Sequence, residues 1–483
     1  MKKRRRILSL FSAACLAITG IVSGAGVQKA EAAARTEVID VTDYGVYPDS
    51  GKDSAVGIQK AIAAAKDATK EGKEVKINFP EGRYDIYPDK AIERELYVSN
   101  TVGADQNNKM KKIGIFLEDM DHVTVDGNDS LFMFHGKMTT FATIGCEDVE
   151  FKNFAVDFQV PTVIDMTVES VEGNTATVYI PECYNYEVSG STIKWYSDVS
   201  PYTGQRYWSI SDLSGYHTQR EDTVQGIKFG AGNGNAALKG VASIEDLGNH
   251  RVKITYNSKA GEVQNGMCFQ SRPTVRDHAG TFFWKSKDIK MTSLDIQFLH
   301  GFGMVGQHSE NITMEDVDFE APKESGRTTA GYADFVQMSG CKGAININNC
   351  TFAGPHDDPI NIHGTFNTVT SISSDRRTIT VQYNHRETAG FPNFFEGDEI
   401  EFMTKGNMIT VENSVRTVTK VDGPDGMGGN MGEGSGSLTT IKLTLDKAIP
   451  ADVQVNQHVV ENITYTPAVN LSLIHISEPT RPY

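Results

Sequence analysis

Several segments of the chain share one pattern: a small or polar cluster, alternating apolar residues, then Asn or Asp leading into another short apolar run. They are Asp121–Phe134, Cys146–Phe158, Ser286–Phe298, Ser309–Phe319 and Cys341–Phe352. Alternation with period two marks strands. Equivalent apolar positions also recur, Val123 and Val149 being 26 residues apart and Ile289 and Ile312 being 23 apart. Such a period holds two or three short strands with their turns, the signature of a coil repeated along an axis. The pattern predicts an all-β chain, a right-handed parallel β-helix whose coils stack at about 4.8 Å with equivalent residues in ladders. Asn128 and Asn349 fall at strand corners, where left-handed backbone is tolerated. The repeats lack the two-residue hairpin turns that would mark a β-sandwich.

Before the first coil, Asp53 and Ser54 precede Ala55–Ala68. There Ala55, Ile58, Ile62 and Ala65 fall at helical spacing after residues suited to an N-cap. A strand, turn and strand follow in Val75–Phe79, Pro80-Glu81-Gly82 and Tyr84. The segment resembles the opening of pectin-lyase-like β-helices, in which an amphipathic capping helix closes the end of the core and shields its edge. Two stretches interrupt the repeat, 162–274 and 367–470. The first contains VIDMTVESVEGNTATVYIP and STIKWYS, the second NTVTSISSDRRTITVQYN and GDEIEFM. They resemble each other and read as two small β-barrel inserts, with Gly423–Ser437 a flexible loop in the second. Residues 35–161 then form the cap and first coils, and 275–366 the coils that carry the candidate site.

Composition narrows the function. Lys and Arg total 46 against 62 Asp and Glu, a formal charge of -16. Residues 1–34 have a basic start at Lys2–Arg6, an apolar run from Ile7 to Val22 and small residues at Ala30, Ala32 and Ala34, as in a secretory signal peptide. Its removal takes away six basic side chains and one acidic one, leaving -21, no membrane span, and no excess of cation to meet nucleic acid. The expected location is secreted or cell-surface. Five cysteines remain after Cys15 is lost, an odd number that argues against a disulfide framework, and no pair has the CxxC spacing of a zinc site. At the other end, Leu471–Arg481 resembles the translation of a transposase adapter used in DNA library preparation. Residues 471–483 are therefore set apart, and the natural chain is expected to continue past Asn470.

Carboxylates are numerous, so a site needs an argument from position. Asp334 stands in GYADFVQ beside Tyr332, Phe335 and Val336, poor company for a merely solvated acid. Asp357 and Asp358 stand together in GPHDDPINIHGTF. The 23 residues from Asp334 to Asp357 equal the Ile289–Ile312 repeat, which predicts one face, one coil apart. Glycoside hydrolysis needs such carboxyls, one protonated toward the leaving oxygen and one ionised, about 6.5–9.5 Å apart for inversion or about 5–5.5 Å for retention. Close carboxylates split their pKa values, so one stays protonated near neutrality. The alternative is that these aspartates cap turns or stack as a polar ladder.

GYADFVQ, followed by GPHDD and NIHGTF, resembles glycoside hydrolase family 110, the exo-acting α-1,3-galactosidases. The resemblance extends over nearly all of 35–470. It implies an inverting, metal-free hydrolase that needs no cofactor and removes terminal α-1,3-linked galactose from glycans, with Asp334, Asp357 and Asp358 matching the catalytic acids. Further candidates are Trp284 for stacking on the sugar, His308 for a hydroxyl, His356 and His363 flanking the acids, and Glu324 and Arg327 on the loop before Asp334. The competing readings are a polygalacturonase-like β-helix hydrolase, whose anionic polymer wants a basic cleft, and a non-catalytic glycan-binding adhesin.

Overall fold

The computed structural model describes residues 36–101, 109–211, 218–222, 227–231, 238–258, 263–272, 274–384, 392–424, 440–472 and 475–477. The expected signal peptide and most of the Gly-rich run lie outside them. The apolar alternation builds a parallel stack of Glu37–Asp40, Val75–Asn78, Asp121–Phe134, Glu147–Phe158, Lys287–Ile296, Glu310–Phe319, Lys342–Asn348 and Pro467–Ser472. Val123, Val149, Ile289, Ile312 and Ile345 are in register across it and all are buried. The parallel β-helix is thus the fold, and its ladder passes straight from Val149 to Ile289 while the intervening chain makes its detour. Asn128 and Asn349 have positive φ at 47° and 58°, as corner residues should. Inside the coils, Phe132 meets Phe154 at 4.8 Å and Phe319 stacks on Phe352 at 5.1 Å.

A second stack holds Met110–Glu118, Thr139–Ile144, Thr281–Trp284, Met304–Gln307, Val336–Ser339 and Ile360–His363, all paired in parallel. The capping helix spans Ala55–Lys70 and buries Ala55, Ile58, Ala61, Ile62, Ala65 and Ala68. Ser54 occupies its N-cap position, but the Asp53 carboxylate accepts the Ala55 N–H at 2.9 Å.

The first detour forms a seven-stranded antiparallel sheet and a three-stranded one around its own core, which includes Ile164, Val178, Trp195 and Ile254. The second closes as a six-stranded barrel between Asn367 and Asn462. Pro467–Ser472 then pairs with Lys342–Asn348, so residues 467–470 form a rung of the coil rather than the end of the barrel. Val469 follows Ile345 in the register of that rung and is exposed.

Candidate active site

Four turns linking the two stacks lie rung upon rung. Phe302 N–H donates to His278 O at 2.9 Å, Met304 N–H to Phe335 O at 2.8 Å, and Phe335 N–H to Asp358 O at 3.1 Å. Glycine makes this spacing possible. A Cβ on Gly301 (φ +80°) would lie 1.8 Å from His278 O, and one on Gly303 (φ +60°) would lie 2.1 Å from Asp334 O. The column therefore carries Asp277-His278, His300, Asp334 and Asp357-Asp358 in order.

Asp334 is buried, whereas Asp357 and Asp358 are exposed. The register pairs Val336 with Ile360, an offset of 24 rather than 23, so Asp358 is the direct rung neighbour of Asp334 and Asp357 precedes it. The Asp334 carboxyl is pushed up to about 7, first by burial and then by the negative charges of Asp357 and Asp358. An N–H of Asn361, 3.1 Å from Oδ2, and the Arg276 guanidinium oppose that rise. Such a group exchanges its proton near neutrality.

Two arginines join the acids. Arg272 donates to Tyr332 O at 3.0 Å and lies 5.5 Å over the Tyr332 ring. Burial lowers its pKa, while Tyr332, Asp357 and Asp334 favour its charge. Arg276 sits 4.5 Å over Phe302. On another side Asn100 Nδ2 donates to Gln337 Oε1 at 3.0 Å, and Gln337 is the rung neighbour of Asn361.

Behind the acids, Asp277 Oδ1 accepts from His278 Nδ1 at 2.9 Å and from His300 Nε2 at 2.7 Å. Lys137 meets its other oxygen and Lys111 its backbone carbonyl. Burial opposes the Asp277 charge, but these hydrogen bonds hold its carboxyl well below the usual range. Burial lowers His278, takes His300 down to about 4 and takes Lys111 down to about 8. Both imidazoles are neutral donors to one carboxylate, with Thr162 Oγ1 on His300 Nδ1 at 2.6 Å. The ligand atoms of Asp277, His278 and His300 lie within 4.8 Å of one another, the spacing of a metal site. The nitrogens facing Asp277 are already donating to it and Lys137 supplies the cation, so the cluster is a closed polar network. None of these residues was picked out from the sequence, although Asp277 and His300 stand one 23-residue repeat apart.

The remaining candidates are placed elsewhere. Trp284 and His363 share a ladder with Gln307 and Ser339, roughly 16 Å along the strand from Asp334 at about 3.3 Å per residue. His308 is buried against the second insert, 4.8 Å from Tyr465 and 5.3 Å from Phe395, with Asn393 at 3.4 Å. Arg327 forms a buried two-bond pair with Asp157 at 2.9 and 2.8 Å, and Glu324 is exposed on the turn Lys323–Ser325. His356 adjoins Asp357 but turns into the first insert, 2.9 Å from Gln270 Oε1. A separate cavity of about 490 Å³, lined by Arg83, Asp85, Tyr87 and His135 among others, lies on earlier coils. Among the described residues no helix is long and apolar enough to cross a membrane.

The profile of GLAA-B β-barrel domain II matches residues 378–425, inside the closed barrel. An α-1,3-galactosidase A of Streptomyces avermitilis is 43% identical over 439 residues, covering 90% of this chain and 68% of the relative. One of Peterkaempfera griseoplana is 39% identical, covering 90% of this chain and 60% of the relative. The chain thus spans about two-thirds of the length of these relatives. A family 28 exopolygalacturonase of Yersinia enterocolitica aligns at 12% identity and TM-score 0.27, over 70% of this chain and 46% of that one. With 43% identity across nine-tenths of its length, the chain belongs to the α-1,3-galactosidases of glycoside hydrolase family 110.

Proposed function

We propose that this protein is exported and removes terminal α-1,3-linked galactose from glycans by hydrolysis with inversion, with Asp334, Asp357 and Asp358 supplying general acid and base. The observation that carries this is three carboxyls from adjacent rungs on one wall, one of them titrating near 7. One carboxyl protonates the glycosidic oxygen as the C1–O bond breaks and its electron pair passes to that oxygen. A carboxylate on the opposite face takes a proton from water as the water oxygen bonds to C1. Arg272 and Arg276 supply positive charge beside the carboxyls and offset part of their negative charge. The export signal is supported by the basic, apolar and small-residue order of residues 1–34.

Proton NMR of the first product tests the stereochemistry: β-galactose is expected, and α-galactose would refute inversion. Asp334→Asn, Asp357→Asn and Asp358→Asn test the residues, and a variant with near-normal turnover removes that residue from the mechanism. Azide with an aryl galactoside separates the roles, because a missing base is replaced with formation of β-galactosyl azide. A missing acid instead spares substrates with good leaving groups.

A further inference from the structure

The turn that presents Asp357 and Asp358 is held from outside the β-helix. His356 is 3% exposed, and its Nε2 lies 2.9 Å from Gln270 Oε1. Gln270 Nε2 donates to Thr328 Oγ1 at 2.6 Å. Thr328 in turn donates to Asp165 through its hydroxyl and its backbone N–H, both at 3.0 Å. Thr329 Oγ1 donates to Gly354 O at 2.7 Å, which fastens the same loop to the start of the turn. Gln270 and Asp165 are rung partners on the strands Met267–Ser271 and Ile164–Glu172 of the first insert, and both are fully buried.

The Thr328 hydroxyl donates to Asp165 and accepts from the Gln270 amide N–H. That leaves the Gln270 carbonyl oxygen facing His356 and makes Nε2 of His356 the protonated nitrogen. Burying an amide and a carboxyl costs free energy unless every polar atom is met, and a junction needed only for packing is served as well by apolar side chains. Here the polar atoms converge on the residue next to Asp357. We infer that Gln270, from the first insert, is a positioning residue for the reaction, setting the Asp357-Asp358 turn through His356.

This rests on the reading that those aspartates carry the chemistry. The test compares Gln270→Leu with wild type and with Asp357→Asn on an aryl α-galactoside. Gln270→Leu is expected to lower kcat roughly 10–100-fold with KM little changed, as for a displaced catalytic group. The pH–rate inflection should also move to lower pH, because a turn that drifts outward takes the Asp357 charge away from Asp334. A merely structural residue would lower the melting temperature and leave the inflection in place, and that result overturns the inference. So does a wild-type kcat in Gln270→Leu while Asp357→Asn is inactive. Wild-type turnover in Asp357→Asn would instead bring down the reading of the site itself. If Gln270→Leu does not fold, Gln270→Asn, one methylene shorter with both polar atoms kept, is measured in the same way. Wild-type kcat and inflection there would equally overturn the role.

Discussion

Replacing Asp334 with Asn should abolish turnover and yet stabilise the protein at alkaline pH. The carboxyl titrates near 7 in the fold instead of 3.8, so the folded state holds the proton more tightly than the unfolded chain does. Between those values the folded state binds more protons, and stability falls as pH rises. The penalty starts near pH 4 and is complete above about 7. A shift of roughly three units at 1.36 kcal/mol each is about 4 kcal/mol. Screening by solvent at the exposed Asp357 and Asp358 reduces it to ~2–4 kcal/mol. Asn carries no such charge, and its carbonyl oxygen still accepts from Asn361. The variant should therefore match wild type at pH 4.5 and exceed it at pH 8.5. At no more than about 2 °C per kcal/mol in a chain of this size, the difference in melting temperature is ~4–8 °C at most. Thermal unfolding of both proteins between pH 4.5 and 8.5 measures it. A difference that stays flat with pH, or a variant less stable at pH 8.5, would show that Asp334 is not held under electrostatic load.

Other outcomes follow from the same contacts. Arg276→Gln and Asn361→Ala each remove an influence that lowers the Asp334 pKa, so the pH–rate inflection of kcat/KM should move upward in both. Arg327→Leu leaves Asp157 as a buried charge without its two-bond partner, and denaturant titration should find ~3–5 kcal/mol lost. Glu324→Ala, on an exposed turn, should change stability by no more than about 0.5 kcal/mol and leave turnover alone. His135 lies 2.6 Å from Asp198 and 3.0 Å from Asp85. Burial opposes its charge, but the two carboxylates raise its pKa. Its stabilisation is full below the unfolded pKa of about 6.5 and is lost as pH rises through the folded value. The melting-temperature gap to His135→Gln should then narrow from pH 6 to pH 9.

Much of this architecture can be read from the chain because a β-helix imposes one demand many times. Each coil must put an apolar residue at the same interior position, so Val123, Val149, Ile289 and Ile312 announce their register. Asp334 stands out for the complementary reason, as an acid among the buried Tyr332, Phe335 and Val336. Repeat length is less dependable. The step from Met304 to Val336 is 32 residues and that from Val336 to Ile360 is 24, because the turns between strands vary while the strands do not. That variation displaced the pairing of the acids by one residue, from Asp357 to Asp358.

What escapes a linear reading is what the inserts cover. His308 and Arg327 occupy plausible positions on the coil, but the second insert lays Phe395 and Tyr465 over one, and Asp157 with the first insert encloses the other. No spacing rule within the coil encodes a surface contributed from a hundred residues away. The same holds for Arg272, Arg276 and Gln270, which lie in or just beyond the stretch assigned to the first insert and nevertheless stand beside or behind the acids. An insert that supplies both the guanidinium of Arg272 and the strut of Gln270 belongs to the site as fully as the coils do. Deleting it should therefore silence the acids even where the β-helix ladder survives.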